Sequence, residues 1–207
     1  MARLNVNPTR MELKKLKARL STAVRGHKLL KDKSDEMVRR FTGLLRENKR
    51  LRDEVERELA ETLKQFSVAR SLTPAYSAET AFSMPSVAVN ADCEVGSVMG
   101  VDVPKIEIRE ERRTDGLPYA FSEITSEADE SVGRVSRLLP RMLELAATEK
   151  AVRLLADEIE RNKRRVNALE YVMIPQLQET IKYIRDKLDE NERAAIVRLM
   201  KVKGKAQ

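Results

Sequence analysis

Two residue types that carry much of protein chemistry occur once each in this chain: His27 is the sole histidine and Cys93 the sole cysteine. One histidine leaves no set of His ligands for a metal, and its place on an apolar helical stripe marks it as a packed interhelical residue, not a proton shuttle. One cysteine excludes an intrachain disulfide and every Cys-based metal cluster; it suits a reducing compartment and reads as a loop residue. Gly26-His27-Lys28 lacks the partner glycine of a phosphate-binding loop, and its surroundings are helical. Carboxylates are abundant, but no apolar pocket accompanies them to raise a pKa for acid-base work. The expectation is a chain with no catalytic residue, no cofactor and no metal.

Charge offers one further chemistry. Lys14, Lys15, Lys17 and Arg19 could line a nucleic-acid backbone, and the whole chain carries 40 Lys and Arg against 33 Asp and Glu, a net +7. Aromatic residues make up only 4% of the chain and none is interleaved with those lysines for base stacking. A basic coiled-coil module that binds nucleic acid or an anionic membrane surface therefore stands as the alternative reading.

The elements that carry these residues are long helices. With 35% charged residues and no Trp, the chain is poor material for a globular core and good material for an elongated helical protein. From Leu13, the residues Leu16, Leu20, Ala23, His27, Leu30, Ser34, Met37, Phe41, Leu44, Asn48, Leu51 and Val55 follow steps of three and four, the pattern of a coiled-coil seam. Leu59, Leu63 and Phe66 continue it with a local change of register, as a stutter does. Pro8 and the Thr9/Glu12 spacing open this helix, and Pro74 closes it. Near the other end, Val152, Leu155, Ile159, Asn162, Val166, Leu169 and Met173 form a second seam. It resumes in a shifted register at Ile174, Leu177, Ile181, Ile184 and Leu188, with Pro175 at the interruption. Upstream, Val132, Val135, Leu139, Met142 and Ala146 read as the same stripe, and Pro140 should bend it.

Two matching stripes at opposite ends imply an antiparallel intramolecular pair. The fold expected is mainly α: a long antiparallel two-helix coiled coil from the N- and C-terminal segments, 1–73 and 125–207, with a small β-hairpin in the insert 74–124. Val87-Ala88-Val89 and Val103 to Ile108 are its strands, separated by Gly96 and Gly100. If the first helix's start lies level with the second helix's end, facing residue numbers add to about 211. Asn48 and Asn162 then face each other as polar residues that fix the register. No apolar run approaches the roughly 18 residues of a membrane span, and no signal-peptide core is present, so a soluble, cytoplasmic protein is expected.

Asn7-Pro8-Thr9-Arg10-Met11-Glu12-Leu13, Arg164-Arg165-Val166-Asn167-Ala168-Leu169-Glu170-Tyr171, Ile174-Pro175 and Thr180 to Ile184 together resemble the D subunit of the V-type and archaeal A-type rotary ATPases. The resemblance covers nearly the whole chain; Gly133 and Pro140 depart from the family's pattern. It implies a non-catalytic central-stalk rotor that couples ATP hydrolysis or synthesis in the head to proton or sodium translocation. It also implies a location on the cytoplasmic face of the membrane. The partners it implies are the A and B subunits of the catalytic head, a hexamer, the small F subunit of the stalk and the membrane-rotor adaptor, with no nucleic acid and no direct membrane insertion. Under this resemblance the candidate head contacts are Arg10, Lys14, Lys17, Lys201 and Lys203, joined by Arg164, Arg165, Asn167 and Glu170 from the matching motif.

Overall fold

The computed structural model describes residues 3–83, 87–112, 119 and 124–205. The fold is mainly α, with one long helix from each end of the chain and a two-stranded antiparallel hairpin between them. The elements are α1 (Arg10–Leu72), α2 (Ala75–Phe82), β1 (Val87–Val98), β2 (Val101–Arg112), α3 (Ser126–Ala168), a π-turn (Leu169–Met173) and α4 (Ile174–Lys205). They group into two compact units, one of residues 1–36 with 159–207 and the other of residues 37–158.

In the first unit the core is Leu16, Ala23, Leu177, Ile181 and Ile184, flanked by Leu4, Val6, Leu13, Leu20, Ile174 and Leu188. Thr9 caps α1: its hydroxyl accepts the Glu12 N–H at 3.2 Å, satisfying a donor that the first turn cannot. The residues before the helix are also fastened. Leu4 N–H donates to Thr180 Oγ1 at 3.1 Å, the same hydroxyl donates to Gln176 O at 2.7 Å, and Arg3 lies 4.4 Å over the Tyr183 ring. Thr180 is thereby buried with both its hydrogen-bonding roles filled.

The shift of register at Pro175 has a physical origin. A proline has no N–H to give the preceding turn, and its ring collides with the carbonyl four residues back. The helix responds by widening for one turn, so that Ile174 N–H bonds to Leu169 O, five residues back. The π-turn adds one residue to the count. A seam that would have passed from Met173 to position 176 resumes instead at Leu177, which is buried.

In the second unit the expected stripe of α1 holds to Asn48, Leu51 and Val55, all buried. Beyond Val55 the expectation fails: Leu63 is 57% exposed, and Thr62, Ala69 and Thr73 are buried instead. Thr62 and Ala69 keep the seven-residue spacing from Val55, so no stutter occurs. Thr62 can be buried because its hydroxyl donates to Glu58 O at 2.7 Å, and Thr73 likewise bonds Ala69 O at 2.9 Å. On α3 the buried residues are Ala128, Ser131, Leu138, Ala151 and Leu155, whereas Val135, Leu139 and Met142 of the expected stripe are exposed. Small residues on both helices permit close approach there, and that outweighs the larger side chains on the other face. α3 continues through Pro140.

The hairpin is longer than expected. β1 and β2 pair without interruption from Val87↔Arg112 to Val98↔Val101. The turn is Met99-Gly100, both with positive φ (57° and 80°), the geometry whose twist suits a two-residue hairpin. Gly96 therefore lies inside β1, opposite Val103. Pro104 is tolerated because both strands of a two-stranded ribbon are edges.

Facing pairs give the register. Their numbers add to 202 for Arg10 with Glu192 and 197 for His27 with Glu170 in the first unit. In the second they add to 201 for Arg52 with Glu149, 195 for Gln65 with Glu130 and 198 for Thr73 with Thr125. The expected sum of 211 is thus corrected to about 198. It assumed flush ends, but Arg10, the first residue of α1, already meets Glu192. Residues 193–205 of α4 extend past that level.

Candidate functional site

The described residues contain no group of three or more His, Cys, Asp or Glu placed to hold a metal ion. A cleft of roughly 460 Å³ in the second unit is lined by Glu58, Glu61, Glu130, Arg134, Arg137 and Arg141 among others. Its electrostatics are those of a brace. Arg141 binds Glu54 at 2.8 Å and also Glu58, whose hydrogen bond raises the guanidinium pKa further. Glu130 accepts from Arg134 at 2.8 Å and from Gln65 at 2.6 Å, and these bonds, the arginine's first, hold its carboxyl below the usual carboxylate range. A general acid near neutral pH needs the opposite shift. The cluster ties α3 to α1 by charge-assisted bonds.

The sequence-derived candidates are surface residues of the first unit, apart from Asn48 and the buried Asn162. Arg10 is engaged with Glu192, while Lys14, Lys17, Lys201 and Lys203 are exposed with no ion pair among the described residues. Arg164 is exposed and bonds Glu160 one turn back; Asn167 is exposed. Arg165 donates to Asn162 Oδ1 at 3.5 Å, so this motif arginine touches the buried polar seam residue. Glu170 sits in the π-turn and its Oε2 lies 3.3 Å from His27 Nε2. Asn48 and Asn162 are both buried, each in its own unit. With a sum of about 198, Asn48 is level with residues near 150 and Asn162 with residues near 36. Asn48 Nδ2 has no hydrogen-bond partner among the described residues.

The structure thus gathers Arg164, Arg165, Asn167 and Glu170 at one level of a helical pair and spreads the lysines along the same unit. Sequence reasoning missed the fastening of residues 3–9, and it missed the outward-facing run Tyr171-Val172-Met173. The signal for that run was present: an eleven-residue interval from Val166 to Leu177 with a proline inside it.

The family model for the D subunit of ATP synthase matches residues 12–204. The chain belongs to the ATP synthase D-subunit family. It is 51% identical over 203 residues to the V-type ATP synthase D subunit of Thermoanaerobacter sp. (strain X514), covering 98% of this chain and 97% of that protein. It is 50% identical over 206 residues to that of Clostridium novyi (strain NT), and 49% over 205 residues to that of Clostridium botulinum (strain ATCC 19397 / Type A), with 98% of this chain and 95% of each relative covered. The π-turn, the His27–Glu170 contact and the arginines beside them are therefore features of a D-subunit family chain. No helix among its described residues is long and apolar enough to cross a membrane.

Proposed function

We propose that this chain is a non-catalytic central-stalk rotor subunit of a V/A-type ATPase or ATP synthase. In this role it couples ATP hydrolysis or synthesis in the catalytic head to proton or sodium translocation through the membrane rotor. The observation that carries the reading is the antiparallel pairing of the two terminal helices in a D-subunit family chain: His27 with Glu170 and Arg10 with Glu192 tie the ends together. A paired, braced shaft resists bending and twisting better than one helix. Torque requires stiffness, asymmetric shape and side-chain contacts, and none of these requires a reactive group.

In this reading segments 1–73 and 125–207 are the shaft and 74–124 the insert. The end carrying Lys14, Lys17, Lys201 and Lys203 enters the hexamer of A and B subunits. Beyond Glu192 α4 presents Ile196, Val197, Leu199, Met200 and Val202 exposed, with Arg193, Arg198, Lys201, Lys203 and Lys205 and no acid. Such a surface suits an apolar collar. The exposed stripe Val135, Leu139 and Met142 on α3 suits a helix of the small stalk F subunit, and the chain would attach to the membrane rotor through an adaptor, peripheral on the cytoplasmic face. Reconstitution tests the role: the pure chain should show no ATP turnover, and adding it to an A/B hexamer should raise steady turnover. Turnover by the pure chain itself, undiminished by further purification, would contradict the proposal.

A further inference from the structure

Four consecutive residues, Glu170, Tyr171, Val172 and Met173, are exposed, Tyr171 at 64% and Val172 at 60%. A regular α-helix turns by about 100° per residue, so four in a row sample every face and one must meet the seam. Here the π-turn carries all four outside, between the half-buried Leu169 and Ile174. The consequence is an apolar knob left exposed among the described residues of its own unit. Beside it is a cleft of roughly 240 Å³ lined by Leu4, Ala168, Val172, Met173, Arg19 and Gln176, among others. Val24 and Leu29, at the same level of α1 by the register of His27 and Glu170, are exposed too.

Charge says what kind of surface this knob meets. Residues 17–36 and 162–181, the two stretches that face each other at a sum of about 198, hold nine basic residues: Lys17, Arg19, Arg25, Lys28, Lys31 and Lys33 on α1, with Lys163, Arg164 and Arg165 on α3. They hold five acids, Asp32, Asp35, Glu36, Glu170 and Glu179, of which Glu170 is engaged with His27. This one level therefore carries a net +4. An apolar centre with a charged rim is the anatomy of a protein interface. A nucleic acid would match the rim and leave Val172 and Met173 without a complement.

We infer that the π-turn knob, Tyr171 to Met173, docks in an apolar socket rimmed by acidic side chains on the protein ring that surrounds the shaft. The inference rests on the rotor reading and adds the place and chemistry of one contact. The π-turn forced by Pro175 is then the device that turns seam residues into a contact surface. The rim steers and aligns the two charged surfaces, and the apolar knob supplies the hold.

The test uses the full chain and a hexamer reconstituted from A and B subunits. Affinity is measured for wild type, Tyr171→Ser/Val172→Ser, Lys28→Glu/Lys163→Glu, and Leu63→Ser as an equally exposed control in the other unit. Circular dichroism confirms that each remains helical. Both double variants should bind at least about ten-fold more weakly, the scale of a lost interface anchor, and the control should match wild type. Loss in the lysine variant should shrink as salt is raised, and loss in the serine variant should persist. If wild type binds the hexamer and the serine variant binds equally well, the inference is overturned and the rotor reading stands. If wild type does not bind the hexamer, the rotor reading falls and the inference with it. Tighter binding to duplex DNA than to the hexamer, insensitive to the serine pair, would overturn the inference in favour of a nucleic-acid surface.

Discussion

Glu170 Oε2 lies 3.3 Å from His27 Nε2, joining residues 143 positions apart in the sequence. The contact ties the π-turn of the C-terminal segment to α1, at the place where the helical register changes. It also sets the alignment of the first unit, because a slip by one helical turn would move Glu170 about 5 Å from the histidine. Cysteines at positions 27 and 170, in a Cys93→Ser background, should crosslink efficiently within one chain using a short bifunctional reagent. Products found only between chains would mean that the helices pair between molecules, and the single-chain shaft would have to be abandoned.

Asn48 is buried with its Nδ2 unpartnered, and a buried donor without an acceptor costs on the order of 1–3 kcal/mol. Asn48→Leu should therefore raise the urea midpoint, with a gain of about 1 kcal/mol after repacking losses. If urea titration shows the leucine variant to be less stable than wild type, the amide has a stabilising partner or the site is too tight for leucine.

Acid should loosen the second unit through Glu130. Its folded pKa lies below its ordinary value, chiefly because Arg134 and then Gln65 donate to it. Its contribution is therefore present above the ordinary carboxylate range and is lost as pH falls through the depressed value. Wild type should have a higher thermal midpoint than Glu130→Gln at about pH 6, and the gap should narrow as the pH is lowered from there through the depressed carboxyl value. A gap of constant size across that range would show that the variant acts through packing and not through this charge.

Much of the architecture was legible in the sequence because coiled-coil geometry writes itself as a period. Leu16, Ala23, Met37, Asn48, Leu51 and Val55 are buried as their spacing demands. The period was misleading where small and hydroxylated residues make the interface. Thr62, Ala69, Ala128 and Ser131 have little apolar surface, yet their size allows close approach, and the hydroxyls of Thr62 and Ser131 are satisfied by the helix's own carbonyls. The sequence showed apolar Val135, Leu139 and Met142 at helical spacing and could not say which of two faces would be covered. The alignment of the pair was illegible for another reason. Helix ends need not be flush, and long exposed side chains such as those of Arg10 and Glu192 leave no periodic trace.

The candidate site was less legible. The motif from Arg164 to Glu170 is marked by resemblance alone, and nothing in its residue types announces that Glu170 meets His27. The outward run at Tyr171 follows from Pro175 and the one-residue excess between Val166 and Leu177. That is a matter of backbone hydrogen bonding, which composition does not display.

The most direct test of the rotor role is to watch the chain turn. Cys93 is the only cysteine and is exposed on the hairpin, so a probe particle can be attached there without altering the sequence. With an A/B hexamer fixed to a surface and this chain assembled in it, single-particle tracking should show ATP-dependent rotation in one direction, in steps that match the threefold order of the head. ATP turnover by the same complexes while the particle stays still, or rotates without preferred direction, would contradict the account.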